Sequence, residues 1–376
     1  MCAGFKKGAD EMPQTETYTL SMGPQHPSTH GVLQVRLDLD GENILKATPY
    51  MGYLHRGIEK LLESRTYIQG VPYTDRLDYV SSMNNNLGYC RAVEELAQIE
   101  VPERAEYIRV IVAELNRIAS HLVFIGSLAN DLGAVTGMIY AFRDREKILD
   151  LFDLVCGARM TFHYIRVGGV SADLPPEFAA KCDAFLKIVP EFMQEYEDIL
   201  TGNEILQHRL HGTSPMTKEQ ALSHNMTGPN IRAVGIPFDI RTVDGYSVYP
   251  KFEFDVPVGE NGDNWDRYRV RYLEINESAK IVRQALDGLP EGDIMAKFPK
   301  VLRPPKGEVY SRTEGTRGEL GFYIVSDGST KPYRVHIRRP SFINLQGLDD
   351  MCRGMLIGDS VAAFSAIDPL MGEVDC

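Results

Sequence analysis

Val101–Gly126 reads VPERAEYIRVIVAELNRIASHLVFIG. Pro102 and Glu103 suit a first helical turn, where proline gives up no hydrogen bond and an acid meets the positive helix end. Ile108, Ile111, Leu115, Ile118 and Leu122 then recur at spacings of three and four, which is one face of an α-helix. The seam predicts an amphipathic helix that closes before Gly126. Working outward, a second long helix is expected over about 135–156, ending near Gly157, and a third over about 176–201, stopping at Gly202. A further helix is expected from near Trp265 to about Leu286. Long helices in succession predict a bundle packed along such seams.

Between the third and fourth helices the pattern fails. Thr227-Gly228-Pro229, Pro237, Pro250 and Gly259-Glu260-Asn261-Gly262 break residues 225–265 repeatedly. The expectation is a long irregular surface excursion, of the kind that serves as an interaction surface. Toward the N-terminus, Leu33, Val35, Leu37 and Leu39 alternate with Gln34, Arg36, Asp38 and Asp40, a half-buried strand ending in an Asp40-Gly41 turn. Toward the C-terminus, Leu320, Phe322 and Ile324 face Tyr333, Val335 and Ile337 across Asp327-Gly328, a β-hairpin signal. The fold class is therefore α+β, a central long-helix bundle with small N-terminal and C-terminal β subdomains. The expected division is a polar leader over 1–17, a β subdomain over 18–70, the bundle over 71–300 and the hairpin and tail over 301–376.

The chain has 376 residues, 43% of them hydrophobic and 24% charged, enough for a large core. A formal net charge of -12 opposes a nucleic-acid surface, although Arg338-Arg339 or Arg267, Arg269 and Arg271 offer a local basic patch or simply solvated faces. No run approaches the roughly 18 apolar residues of a membrane span, and Met1–Leu20 lacks the apolar core of a secretory signal. A soluble intracellular chain is expected, which leaves docking on a membrane protein open. Cysteines stand at 2, 90, 156, 182, 352 and 376, with no C-x-x-C pair. That scatter predicts neither a disulfide framework nor a cluster bound by this chain, so electrons would come from a neighbour.

Several segments carry candidate chemistry. His26 and His30 are four apart, but Pro27 and the Met22–Gly31 loop remove helical geometry. They read as a weak two-histidine metal site, as a proton or hydrogen-bond donor to a ligand, or as loop histidines satisfied locally. Tyr73-Thr74-Asp75-Arg76-Leu77-Asp78-Tyr79 packs phenols, carboxylates and a guanidinium together. Tyr79 reads either as a core tyrosine or as a proton donor to a ligand oxygen. Asp131, in Asn130-Asp131-Leu132-Gly133, interrupts the helical region as a cap or as the partner of a histidinium. Arg56, Arg159 and Arg166 suit either a redox centre or ordinary ion pairs. No dinucleotide fingerprint, P-loop or nucleophile elbow occurs.

Taken together, MGPQHPSTHG (Met22–Gly31), GYLHRGIEK (Gly52–Lys60) and IASHL (Ile118–Leu122) resemble the 49 kDa-type subunit of respiratory complex I. GARM (Gly157–Met160), GGV (Gly168–Val170), VSDG (Val325–Gly328) and GEVD (Gly372–Asp375) fit as well. The likeness runs from Tyr18 onward. Arg56-Gly57-Ile58-Glu59 and Asp368–Cys376 also resemble the terminal motifs of nickel–iron hydrogenase large subunits, where cysteine pairs hold the metals. Here Leu370 stands in place of a thiolate and no cysteine pair follows Glu59.

The resemblance implies a peripheral-arm subunit of a proton-translocating NADH:quinone oxidoreductase, active only in the complex, on the cytoplasmic face of a bacterial inner membrane. It implies a quinone chamber shared with an iron–sulfur partner that carries the terminal [4Fe–4S] cluster. A 30 kDa-type subunit and a membrane-arm subunit at the quinone entrance are the other implied partners. His30 and Tyr79 match the family's quinone-contacting residues, and Asp131 matches the acidic partner of that histidine. Arg56 and Arg76 match arginines near the cluster, and His26 joins them as a cofactor-binding candidate. Thr161 stands where many relatives carry a histidine, with His163 two residues on, and Cys376 stands where relatives commonly have arginine. Two alternatives remain: a metal-bearing hydrogenase-like subunit, which needs the absent cysteine pairs, and a non-catalytic scaffold of a related membrane-bound redox complex.

Overall fold

The computed structural model describes residues 17–25 and 31–376, so the expectations for the leader and for His26 and His30 lie outside the described residues. The stretch quoted above forms the central helix, Glu103–Asp131, which runs straight through Gly126. A Cβ at Gly126 would stand 3.2 Å from Ala141 Cβ and from Met138 Cα, both on the next helix, Val135–Cys156. The glycine thus marks a close helix–helix approach and not a stop. Amphipathicity also fails. The seam residues are buried as expected, but so are Arg109, Glu114, Asn116, Arg117, Ser120 and His121 on the other faces.

The remaining bundle follows the seams. Val135–Cys156 ends at Gly157, whose φ of 68° closes the helix in the left-handed region. Phe178–Tyr196 continues through a wider turn, Glu197–Thr201, to Gly202. The fourth expected helix spans Asn264–Asp287 and starts on Asp263, whose side chain accepts from Asp266 N.

Residues 225–265 differ from expectation. Short helices, Pro229–Ala233 and Ile240–Val243, punctuate the segment, and Arg232, Asp239, Arg241 and Tyr249 are fully or almost fully buried. The breaks by Gly and Pro were real; the surface placement was not. These residues turn inward because they neutralise the polar faces of the two long helices. Arg241 Nη1 donates to Glu114 Oε2 at 3.0 Å and Arg232 Nη2 to Glu274 Oε2 at 3.1 Å. Arg267 and Arg271 are likewise fully buried and form no basic face.

Two antiparallel three-stranded sheets flank the bundle. Thr17–Met22, Gln34–Asp40 and Asn43–Tyr50 form the N-terminal one, with Leu33, Val35, Leu37 and Leu39 fully buried. Their core is shared with Leu345, Leu348, Phe364, Ile367 and Met371 from the far end of the chain. In the C-terminal sheet, Gly318–Ser326 pairs with Arg334–Arg338, with Phe322 opposite Ile337 and Ile324 opposite Val335. A further strand unforeseen from sequence, Gly307–Gly315, pairs on the other side of Gly318–Ser326. Among the described residues no helix is long and apolar enough to cross a membrane.

Candidate functional site

Tyr79 is held by its neighbours. The helix Tyr67–Thr74 opens with a capping box on Thr66 and ends just before Asp75. Asp78 Oδ1 then accepts from Val80 N and Ser81 N, each at 3.1 Å, which turns the chain into the helix Ser82–Ala97. Asn85 Nδ2 binds the Asp78 carbonyl at 2.9 Å, and Ser82 Oγ binds those of Asp75 and Tyr79. Every peptide around Tyr79 is thereby fixed while its side chain stays half-buried.

The chain's last residues are laid directly on this segment. A Cβ on Gly372 would stand 2.7 Å from Leu77 O, 3.0 Å from Arg76 O and 3.2 Å from Tyr79 Cδ1. Asp375 accepts from Gly52 N and Leu54 N at 2.8 Å each, and Arg339 Nη1 binds Val374 O at 2.8 Å. Arg56 joins the two walls, with Nη2 donating to Gly372 O at 2.6 Å and to Arg76 O at 2.9 Å. Of the Arg56–Glu59 motif, Arg56 is the residue that binds the tail. Glu59 turns away to Arg334 and Ile337 N.

Behind Tyr79 lies Arg317, on the tight turn between Gly307–Gly315 and Gly318–Ser326. Its Nη1 donates to Asp78 Oδ2 at 2.5 Å and its Nη2 to Asp368 Oδ1 at 2.9 Å. Burial raises the Tyr79 phenol above its ordinary pKa; Asp78 adds to that, and Arg317 and Arg56 oppose it. Sequence reading missed Arg317, because an arginine in a Thr-Arg-Gly turn carries no periodic signal of burial.

Asp131 is the last residue of the central helix, and it accepts a hydrogen bond from Ser365 Oγ on the helix Ile357–Ile367. Gly31, the first described residue after the histidine loop, would place an added Cβ 3.5 Å from Met371 Cγ. Gly31 thus lies against the same C-terminal helix, Met371–Val374, whose Gly372 packs on Tyr79. Arg76 Nη1 donates to Pro72 O at 2.5 Å and lies 3.7 Å from Asp75, and with Arg65, Gln69, Pro72 and Tyr73 it lines an open surface groove. Asp75 beneath it is pushed up to about 6 by burial.

The other arginine candidates separate from this group. Arg159 makes surface ion pairs with Glu146 and Asp150 on the helix that precedes it. Arg166 is exposed, and its carbonyl accepts from Arg109. Thr161 and His163 both adopt left-handed backbone, with φ of 55° and 47°. Burial lowers the His163 imidazole below its ordinary pKa, with Arg166 and Arg76 adding to the effect. Among the described residues no group of three or more His, Cys, Asp or Glu could hold a metal ion. Cys376 is buried in the tail, and burial pushes its thiol up to about 11.

The family model for the respiratory-chain NADH dehydrogenase 49 kDa subunit matches residues 131–306 and 298–376. An NADH-quinone oxidoreductase subunit from Desulforamulus reducens is 55% identical over 362 residues, covering 96% of this chain and 99% of that one. The corresponding NADH-quinone oxidoreductase subunits of Carboxydothermus hydrogenoformans and Clostridium beijerinckii are 53% and 54% identical, each over 97% of this chain and 100% and 99% of their own. With an α+β fold and near end-to-end likeness to these relatives, the chain belongs to the 49 kDa subunit family of respiratory-chain NADH dehydrogenases.

Proposed function

We propose that this chain is a peripheral-arm subunit of a proton-translocating NADH:quinone oxidoreductase and that it forms one side of the quinone-reduction chamber. Its named relatives are subunits of an NADH-quinone oxidoreductase. An iron–sulfur partner supplies the electrons from its terminal [4Fe–4S] cluster, against the surface where Arg56 and Arg76 meet. A 30 kDa-type subunit and a membrane-arm subunit complete the surroundings, at the cytoplasmic face of the membrane.

The observation that carries this reading is the placement of Tyr79. It is half-buried, fixed on both sides, and backed by the Arg317–Asp78 pair. Its phenol stays neutral at working pH, since burial raises its pKa. A quinone oxygen that gains negative charge on reduction becomes a strong proton acceptor, and a positioned phenol then serves as general acid. Arg317 and Arg56 offset the phenolate left behind. His30 supplies the second proton, and Asp131 holds that imidazolium until reduction draws the proton away. Movement of charge at His30 and Asp131 then signals toward the membrane arm.

The test is Tyr79→Phe in the assembled complex. NADH:quinone reductase activity should fall by roughly a hundredfold or more, the scale of general acid catalysis, while NADH:ferricyanide activity persists. Quinone reductase activity that survives in the variant would return the chain to the scaffold reading.

A further inference from the structure

Five charged side chains from separate stretches meet behind Tyr79. Asp78, Arg271, Arg317, Asp368 and Glu373 are all at most 6% exposed. Arg317 bridges Asp78 and Asp368, and Arg271 Nε lies 3.9 Å from Asp368 Oδ2. Glu373 accepts from Ser341 N at 3.0 Å, and its charge interactions are with Asp78 and Arg317.

Three carboxyls against two guanidiniums leave one surplus negative charge if all of them ionise. An uncompensated buried charge is costly, and the group sheds it by taking up a proton. Asp78 and Asp368 are bound directly by Arg317. Among the described residues, no hydrogen bond joins Glu373 to a guanidinium. We propose that Glu373 holds the proton that keeps this cluster neutral, and that its ionisation governs how readily Tyr79 gives up its own. Burial, then Asp78, pushes the Glu373 carboxyl up to about 7. The inference rests on the reading of Tyr79 as proton donor.

The other charged groups around Glu373 are hydrogen-bonded to other partners, and Arg56 and Arg339 keep their positive charge. Arg56 and Arg339 donate to the carbonyls of Gly372 and Val374. Asp375 is capped by Gly52 N and Leu54 N, and Glu59 pairs with Arg334 and His336. The Cys376 thiol is neutral near pH 7 because burial raises its pKa.

In the proton step the Tyr79 O–H bond breaks and an O–H bond forms on the quinone oxygen. The two electrons come from the partner's cluster, the second proton from His30, and solvent later restores the phenol. A neutral cluster lets Arg317 offset the nascent phenolate. Once Glu373 ionises, the surplus charge makes the phenol a weaker acid and slows the transfer. Turnover should therefore fall as pH rises through Glu373's titration.

The experiment is the ratio of quinone reductase turnover at about pH 8 to that at about pH 6, in the intact membrane complex, normalised at each pH to NADH:ferricyanide activity. Glu373→Gln cannot ionise, so the ratio should rise about three- to tenfold, as expected for removing one nearby unit charge. Glu373→Asp keeps the titration and the parent's ratio. Asp78→Asn removes the surplus charge from the other side, so the ratio rises there too, and it decides the matter if Glu373→Gln assembles poorly. A purely structural role lowers turnover equally at both pH values, and an unchanged ratio overturns the proposal. The Tyr79→Phe control separates the two readings. If it abolishes turnover while Glu373→Gln keeps the parent's ratio, only the role of Glu373 falls.

Discussion

Arg56 reaches across 316 residues of sequence to donate to the Gly372 carbonyl at 2.6 Å, closing the tail onto the segment that carries Tyr79. That closure needs the absence of a side chain at Gly372. An added Cβ would stand 2.7 Å from Leu77 O and 3.0 Å from Arg76 O, both backbone atoms that cannot rotate away. Gly372→Ala must push the tail off the Arg76–Tyr79 wall, at a cost of about 1–3 kcal/mol as for other overpacked sites. The complex should still assemble, with quinone reductase activity down at least about tenfold, since misplacing reacting groups by an ångström is that expensive. Full activity in purified Gly372→Ala complex would show that the tail does not position Tyr79.

Asp131 closes the central helix and accepts from Ser365 Oγ. Asp131→Asn keeps the shape and an acceptor but removes the charge that the proposed histidinium at His30 requires. Quinone reductase activity should drop about tenfold or more, the lower end of what one acid–base group supplies. NADH:ferricyanide activity is the internal control. If quinone reduction and proton pumping both remain normal in the variant, the partnership with His30 has no basis.

Periodic features of this fold were legible, because apolar spacing is set by local geometry. The helix ends at Cys156 and at Asp287 fell within a residue or two of expectation. What the sequence hid is how charges meet. Glu314 sits in a strand with alternating polar residues, which reads as a solvated face, yet it is fully buried. Only the three-dimensional meeting with Arg232, from a segment broken by glycine and proline, accounts for it. The same holds at the site. Tyr79, Asp131, Arg56 and Arg76 stand out by residue type and resemblance, whereas Arg317 and Ser365 acquire meaning from partners 239 and 234 residues away.

The core cluster around Glu314 repeats the charge imbalance found behind Tyr79. Glu114, Asp239, Glu274 and Glu314 face Arg117, Arg232 and Arg241, one cation short, while burial lowers the His121 imidazole below its ordinary pKa. Glu314 accepts from Arg232 Nη1 at 2.8 Å and from Ile240 N at 3.1 Å. Burial, then Asp239, pushes it up to about 7, against about 4.3 for an unfolded glutamate. Between those values the folded chain retains a proton that the unfolded chain has released. Stability from this group is therefore highest on the acid side and is lost as pH rises, at up to roughly 1.4 kcal/mol per pH unit, until the loss is complete above about pH 7. Glu314→Gln cannot ionise and escapes that loss, although its amide misses one hydrogen bond and so carries a constant penalty of about 1–3 kcal/mol. Relative to the parent, the variant should gain roughly 2 kcal/mol between about pH 5.5 and 7.5. Thermal unfolding of the purified complexes at both pH values reads this directly. Parallel shifts of parent and variant would mean that Glu314 keeps the same charge across the range.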